Sequence, residues 1–469
     1  MHTRKLTKIV ATIGPASDSP ETIEKLIRAG VNIFRFNTKH STPEWHEERI
    51  KRVQKVADEL GESIGILLDL QGPEIRLETR DQATIPVKAG QELTIGLSFG
   101  EGTDVIIPHA AVFQLVKFGQ DLLIDDGFVE TEILQVEPKR LVIKVKHDAV
   151  IKHRKGVNLP GVDVDFPALI DSDIRQLDSN ARNKVDFVGL SFVRSARDIK
   201  LLRAELDKRQ IKALIVAKIE SQPALDRIDE IIAAADAVMV ARGDLGVEVP
   251  IEQLAYWQQS IIKKSRAANK PVITATQMLE SMIGNPRPTR AEATDVAHAI
   301  YDGTDAVMLS AESASGKYPV RTVEMMARIA RFNEPHRVYD TPPLDSSDQT
   351  HMLAESAVTL ALNANHEPID AIVVLTETGY SARAIARHRL PIPVIAATDN
   401  QKTCETLTIS YGVFPVRTAF PKGVFTTPDK VLADLLKRDI LHPGNRIIVV
   451  HGHHWQEPGN TSALAVVTL

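Results

Sequence analysis

The chain carries one cysteine, Cys404, in 469 residues, which excludes an internal disulfide and suits a reducing compartment. Thr403 and Glu405 flank it with no second Cys or His nearby, so it reads as a bland buried thiol rather than a nucleophile. Aromatic residues make up only 5%. No apolar run reaches the ~18 residues that a membrane span needs, and no signal-peptide apolar region opens the chain. The expected location is cytoplasmic, with no membrane partner. The formal net charge of −5 lacks the concentrated positive field that nucleic acid requires. Neither the P-loop pattern nor GxGxxG occurs, so any nucleotide must be held by another device.

What is present is a recurring alternation of short β-branched runs and longer segments of helical period, the pattern of parallel βα units. Such runs fall at Lys8–Ile13, Val31–Phe36, Ile64–Asp69, Val185–Ser191, Ala213–Lys218, Ala237–Ala241, Pro271–Ala275 and Ala306–Leu309. Helical segments include Pro20–Ala29, Glu252–Ala268 and Thr289–Tyr301. Eight units predict a closed (β/α)8 TIM barrel of α/β class, over residues 1–71 and 167–340. Residues 72–166 are turn-rich and alternating, with strands expected at Val87–Leu93, Asp104–Ile107, Asp121–Ile124 and Leu141–Lys146. They predict a small, barrel-like β domain inserted in a βα loop. After a Pro-rich stretch from Asp340 to Ser347, residues 348–469 predict a C-terminal α/β domain with strands at Ala371–Leu375, Val394–Ala396, Val413–Val416 and Arg446–Val450.

In a parallel barrel the reactive groups sit at the C-terminal ends of strands. Here polar residues follow the apolar runs at most of those ends: Arg35, Asn37, Lys39 and His40; Asp69; Lys218 and Glu220; Arg242 and Asp244; Thr276; Ser310 and Glu312. Caps or salt bridges explain any one of them, but their convergence on one mouth predicts a shared site. Glu220 and Asp244 are hard oxygen ligands suited to Mg2+ or Mn2+ with positions left open for substrate. Lys218 lies two residues from Glu220 and leaves an extended strand on the same face. It can neutralise charge on a transferring phosphoryl group or an enolate. Gly243-Asp244-Leu245-Gly246 offers backbone N–H groups to an anion. The run His451-Gly452-His453-His454 reads as an exposed loop, without the spacing of a metal site.

Long strings resemble the pyruvate kinase family over nearly the whole chain: Thr7–Ser17 (TKIVATIGPAS), Gly72–Arg76 (GPEIR), Gly156–Gly161 (GVNLPG), Met239–Val247 (MVARGDLGV), Ala275–Met282 (ATQMLESM) and Pro288–Glu292 (PTRAE). The resemblance implies phosphoryl transfer from phosphoenolpyruvate to ADP, giving pyruvate and ATP, and a homotetramer. It implies that Glu220 and Asp244 bind the divalent ion, that Lys218 stabilises phosphoryl transfer and the enolate, and that Arg35 holds the phosphoryl group. Backbone groups of Gly243 and Asp244 would meet the substrate carboxylate. Thr276 would serve enolate protonation through water, with Ser310 and Glu312 in its network. Pro15, His40, Arg76 and Lys155 match nucleotide-side positions, Lys155 arriving as the inserted domain closes.

One place departs from the family pattern. Its monovalent-cation site combines Asn, Ser, Asp and Thr; here Asn37 and Asp69 match, but Lys39 stands for Ser and Leu70 for Thr, followed by Gln71 in place of the usual Lys. The expectation is that the Lys39 ammonium supplies the charge of K+, making a K+ requirement doubtful; the alternative is a degraded site with Lys39 in solvent. Thr376, Thr378, Gly379 and Ser381 resemble the family's effector phosphate loop, into which Glu377 brings a repelling carboxylate. A plain helix-capping turn is the competing reading. Two rival functions stay open at this stage: a metal-dependent enolate lyase, which ADP-dependent turnover would exclude, and a non-catalytic phosphoenolpyruvate sensor.

Overall fold

In the computed structural model, residues 5–180, 183–338, 340–343, 348–364, 367–420, 428–452 and 461–469 are described. Eight parallel strands close into a barrel: β1 (Lys8–Thr12), β2 (Ile33–Asn37), β3 (Gly65–Asp69), β4 (Phe187–Leu190), β5 (Leu214–Ile219), β6 (Ala237–Ala241), β7 (Val272–Ala275) and β8 (Ala306–Leu309). Most of their residues are buried on both faces, because side chains pointing inward fill the barrel and those pointing outward meet the helices. Val10, Leu67, Phe187, Val216, Met239, Ile273 and Met308 belong to the inner cluster, while Ile9, Phe34, Leu68 and Val240 pack outward under the helices. The eight expected strands are all present.

Local chemistry sets the helix ends. Ser19 caps Pro20–Ala29 through the Thr22 amide, Pro20 opens it, and Gly30 at φ 117° closes it, each suited to its position. Thr289 and Glu292 form a capping box on Arg290–Asp302. The helix expected over Glu252–Ala268 is Leu254–Ala267, led in by a separate 3-10 turn at Ile251–Gln253.

Between β3 and β4 the chain builds a seven-stranded sheet with edges at Val157–Asn158 and Glu78–Thr79, and a two-stranded sheet of Ile85–Val87 with Ala149–Ile151. Their apolar faces share a core separate from that of the barrel. Val87–Leu93 is not one strand: the chain turns through Gly90 at φ 80°, so Val87 ends one strand and Leu93 lies in Glu92–Gly96. The longest strand of the insert, Val129–Glu137, was not anticipated, because its alternate positions are charged and polar.

The C-terminal sheet runs Val413–Arg417, Val394–Thr398, Ala371–Leu375, Arg446–His451 and Ala463–Thr468. The first four are parallel and the last, unexpected from sequence, pairs antiparallel with Arg446–His451. This domain docks on the barrel through ion pairs: buried Arg389 with Asp305 at 2.5 Å, and half-buried Lys402 with the buried Asp186 at 2.5 Å. Leu344 to Ser347, and His453 with His454, lie outside the described residues. Among the described residues, no helix is long and apolar enough to cross a membrane.

Candidate active site

The C-terminal ends of β2, β3 and β5 bring Arg35, Asp69, Lys218 and Glu220 together in a nearly dry cluster, none more than 8% exposed. Lys218 Nζ stands 2.9 Å from Glu220 Oε1 and 3.4 Å from Asp69 Oδ1, and donates to Ser191 Oγ at 2.7 Å. Arg35 Nε donates to Asp69 Oδ2 at 2.7 Å, and its Nη1 to Thr12 Oγ1 at 3.0 Å. Burial works against the Lys218 charge, but Asp69, Glu220 and Asp244 outweigh it and hold its pKa above the usual lysine range. Lys218 is therefore a fixed cation and not a base. Asp69 is held below its usual range: burial opposes, while Lys218, Arg35 and Lys39 prevail.

Glu220 behaves differently. Burial, with the Asp244 carboxylate adding, raises its pKa despite Lys218. Its Oε2 accepts the Phe192 amide at 2.6 Å, and Phe192 sits at φ 53°, a backbone posture uncommon for a bulky residue. Glu220 Oε1 is buried and faces the Lys218 ammonium at 2.9 Å. Two mutually repelling carboxylates side by side form a hard-oxygen donor set suited to a divalent cation. Among the described residues, no cluster of three or more His, Cys, Asp or Glu is placed to hold a metal. An ion on this pair would draw its remaining ligands from substrate and water.

Thr276 follows β7 with φ 69°, a strained posture for a β-branched residue. Arg242 accounts for it. This buried guanidinium donates to the carbonyls of Ala275 at 3.3 Å and Thr276 at 2.7 Å, anchored by Asp295 at 2.7 Å. Thr276 Oγ1 donates to Ala275 O at 2.6 Å and accepts the Gly243 amide at 2.7 Å. In this conformation the Gly243 N–H is thus engaged within the protein. Asp244 lies half-buried one residue on, in the short helix Arg242–Glu248. Glu312, 2% exposed, accepts the amides of Ser310 at 2.7 Å and Leu279 at 3.2 Å, joining the loops after β7 and β8. Burial raises its pKa.

The four residues expected on the nucleotide side divide between the barrel and the insert. Pro15 and His40 are exposed. Arg76 and Lys155 come from neighbouring segments of the insert: Arg76 bridges to Gly156 and donates to Glu74 Oε2 at 2.7 Å, while Lys155 pairs with Asp125 at 2.7 Å. Glu74 Oε2 also faces Lys39 Nζ at 3.9 Å, which lies 5.4 Å from the centre of the Phe192 ring. The Lys39 side chain is 24% exposed, its ammonium turned to Glu74 and the Phe192 ring rather than free in solvent. Asn37 Oδ1 accepts the Lys39 amide at 3.2 Å. Leu70 is 1% exposed and presents only its carbonyl, to Ser191 Oγ at 2.7 Å.

In the C-terminal loop Thr376 Oγ1 accepts the Gly379 amide at 2.9 Å and Ser381 Oγ pairs with Thr461 Oγ1 at 2.7 Å, while the exposed Thr378 accepts Tyr380 N at 3.4 Å. Gly379 at φ 82° precedes the helix Tyr380–Ala386 without a side-chain cap. Cys404 is buried, and burial with Glu405 pushes its thiol up to about 11, as an inert thiol should behave. Sequence reasoning passed over two participants, Ser191 and Arg242 as an anchor. Each stands directly at the end of an apolar run, so position was the available signal.

Comparison with known proteins agrees with this geometry. The family profile described as pyruvate kinase, barrel domain, matches residues 4–323, and pyruvate kinase, alpha/beta domain, matches residues 351–467. A pyruvate kinase of Agrobacterium vitis is 41% identical over 99% of each chain. One from Bacillus licheniformis is 39% identical over 98% of this chain and 80% of its own. The crystal structure of a pyruvate kinase from Cryptosporidium parvum superposes with a TM-score of 0.90 at 33% identity, covering 99% of this chain and 96% of that one. A barrel whose mouth gathers a fixed lysine, a carboxylate pair and a strained threonine, matched in both domains at this identity, places the chain in the pyruvate kinase family of phosphate-transferring enzymes.

Proposed function

We propose that the chain transfers the phosphoryl group of phosphoenolpyruvate to ADP, giving pyruvate and ATP, and that Lys39 replaces the monovalent cation. The observation that carries the first part is the position of Lys218, buried between Asp69 and Glu220 with its charge secured. Transferring phosphoryl groups carry dispersed negative charge, so catalysis is mostly positioning and electrostatic stabilisation. Lys218 supplies a cation already oriented, and Arg35, clamped by Asp69 and Thr12, supplies a second.

Glu220 and Asp244 would hold Mg2+ or Mn2+, which when bound neutralises phosphoryl oxygens and polarises the substrate. The chain's own residues do the rest. Thr276, its hydroxyl oriented by Ala275 O and the Gly243 amide, would pass a proton through water to the enolate carbon. Glu312 fixes the loops on which Ser310 sits. Pro15 and His40 at the barrel rim, with Arg76 and Lys155 on the insert, bracket the nucleotide. Swinging the insert onto the mouth excludes water, which would otherwise take the phosphoryl group.

Lys39 supports the second part because its ammonium faces Glu74 and acts on Asp69 and Glu220, while Leu70 offers no side-chain oxygen. In the C-terminal loop of Thr376, Thr378, Gly379 and Ser381, the Thr376 and Ser381 hydroxyls bond within the protein, which favours a structural turn over an effector phosphate site. The test of the kinase is pyruvate formation that requires both ADP and Mg2+. Pyruvate released without ADP would point to a lyase, and a folded protein without turnover would overturn the reading.

A further inference from the structure

The chain leaves the barrel for the insert after Asp69 and returns before Phe187, and one carboxylate touches both crossings. Asp173 Oδ1 accepts the amide of Gln71 at 2.9 Å, and both its oxygens lie 3.3 Å from the amide of Gly72. Its Oδ2 also accepts the amide of Ile170 at 3.1 Å, on the returning segment. Asp173 belongs to the helix Asp171–Asn180 and is 0% exposed. The adjacent Ser172 hydroxyl donates to Gln71 Oε1 at 3.2 Å.

A helix-start carboxylate that took only the Ile170 amide would be an ordinary cap. The Gln71 and Gly72 amides come from a segment about a hundred residues away in sequence, so the same group cross-links the outgoing and the returning segments. Gly72 sits at φ 68°, and a Cβ there would lie 2.9 Å from Ser191 Cβ, so the outgoing crossing is also pressed against the loop after β4. The returning segment has a second anchor: Arg194 Nη1 donates to Val164 O at 2.6 Å and Nη2 to Phe166 O at 2.5 Å. Two residues past Gly72 stands Glu74, which meets Lys39 of the barrel and Arg76 of the insert.

We propose that Asp173 is a positioning residue for the phosphoryl-transfer reaction, acting as the clasp of the hinge on which the insert closes. This rests on the kinase reading above. By fixing the outgoing crossing to the returning one, Asp173 determines where Glu74 and Arg76 arrive at the mouth and how completely water is excluded there. It touches no substrate and acts through the backbone at residues 71 and 72.

Amide hydrogen exchange and kinetics on the full chain test this together. In the wild-type protein the Gln71, Gly72 and Ile170 amides should exchange slowly, as protected groups. Asp173→Asn keeps one acceptor oxygen but turns an N–H toward a donor. It should speed exchange at those amides by about tenfold or more, with β1 to β8 unchanged. The same variant should raise KM for ADP more than KM for phosphoenolpyruvate, and should increase phosphoenolpyruvate hydrolysis to pyruvate and phosphate relative to ATP formation. A merely structural carboxylate would lower stability without moving that hydrolysis ratio. The proposal is overturned if wild-type amides 71 and 72 exchange as fast as exposed loop amides, a result that needs no variant. It is overturned equally by a folded Asp173→Asn protein with unchanged local exchange and an unchanged hydrolysis ratio. Because exchange is read without turnover, an inactive but clasped wild type would sink the kinase reading and leave the hinge standing.

Discussion

Lys39 Nζ lies 3.9 Å from Glu74 Oε2, and the same oxygen accepts Arg76 Nη2 at 2.7 Å. The Lys39 ammonium is therefore tied, through one carboxylate, to Arg76 of the insert. If that ammonium supplies the monovalent charge, Lys39→Ser with Leu70→Thr should return the requirement to solution. The double variant is expected to be stimulated about tenfold or more by K+, since an uncompensated unit charge this close is worth more than 1.4 kcal/mol at low effective dielectric. Equal activity of the pair with and without K+ would refute the substitution.

Lys218→Met removes the fixed cation while keeping a chain of similar length. The expected loss in kcat is about 10²–10³-fold or more, the scale for removing one preorganised electrostatic contact, with far-ultraviolet circular dichroism unchanged. A variant within a few-fold of wild type would show that Lys218 is a structural partner of Glu220 only.

Thr276→Val retains the β-branched shape at φ 69° but leaves the Gly243 amide without its acceptor. Stability should fall by about 1–3 kcal/mol, the cost of an unsatisfied buried donor. Exchange of pyruvate methyl protons with solvent, followed by proton NMR, should slow more than phosphoryl transfer does. Parallel losses in the two rates would remove Thr276 from the protonation step.

His388 sits at the seam between barrel and C-terminal domain, 1% exposed, and its pKa falls to about 3. Burial is the main cause, with Arg387, Arg266, His351 and Arg389 adding; Glu355 at 3.5 Å does not offset them. The imidazole is neutral in the fold and takes a proton on unfolding, near pH 6.5. Its contribution is thus present above that pH and is lost as pH falls toward 3. At pH 5 the loss is about 2 kcal/mol, from roughly 1.4 kcal/mol for each pH unit below 6.5. Urea midpoints at pH 7 and pH 5 should therefore converge in His388→Gln relative to wild type; an identical pH response in both proteins would contradict this.

Much of this was legible in the sequence because the barrel strands are apolar on both faces, leaving a simple contrast with the polar groups just past Asp69, Ile219 and Ala275. The C-terminal parallel strands were legible for the same reason. Val129–Glu137 was not, since one face of an insert strand is wet and carries Glu130 and Glu132 among apolar residues. Nor was the posture of Thr276, which depends on Arg242 reaching across from the neighbouring strand end. Asp173 carried no signal in the sequence, because only the folded chain brings the Gln71 and Gly72 amides to it.

The most direct test is steady-state pyruvate formation from phosphoenolpyruvate and ADP with Mg2+, first in buffer free of K+ and then with K+ added. This account predicts full activity in the first buffer and no gain in the second. Activity that appears only with K+ would contradict the role given to Lys39, and a folded protein inactive in both would contradict the kinase itself.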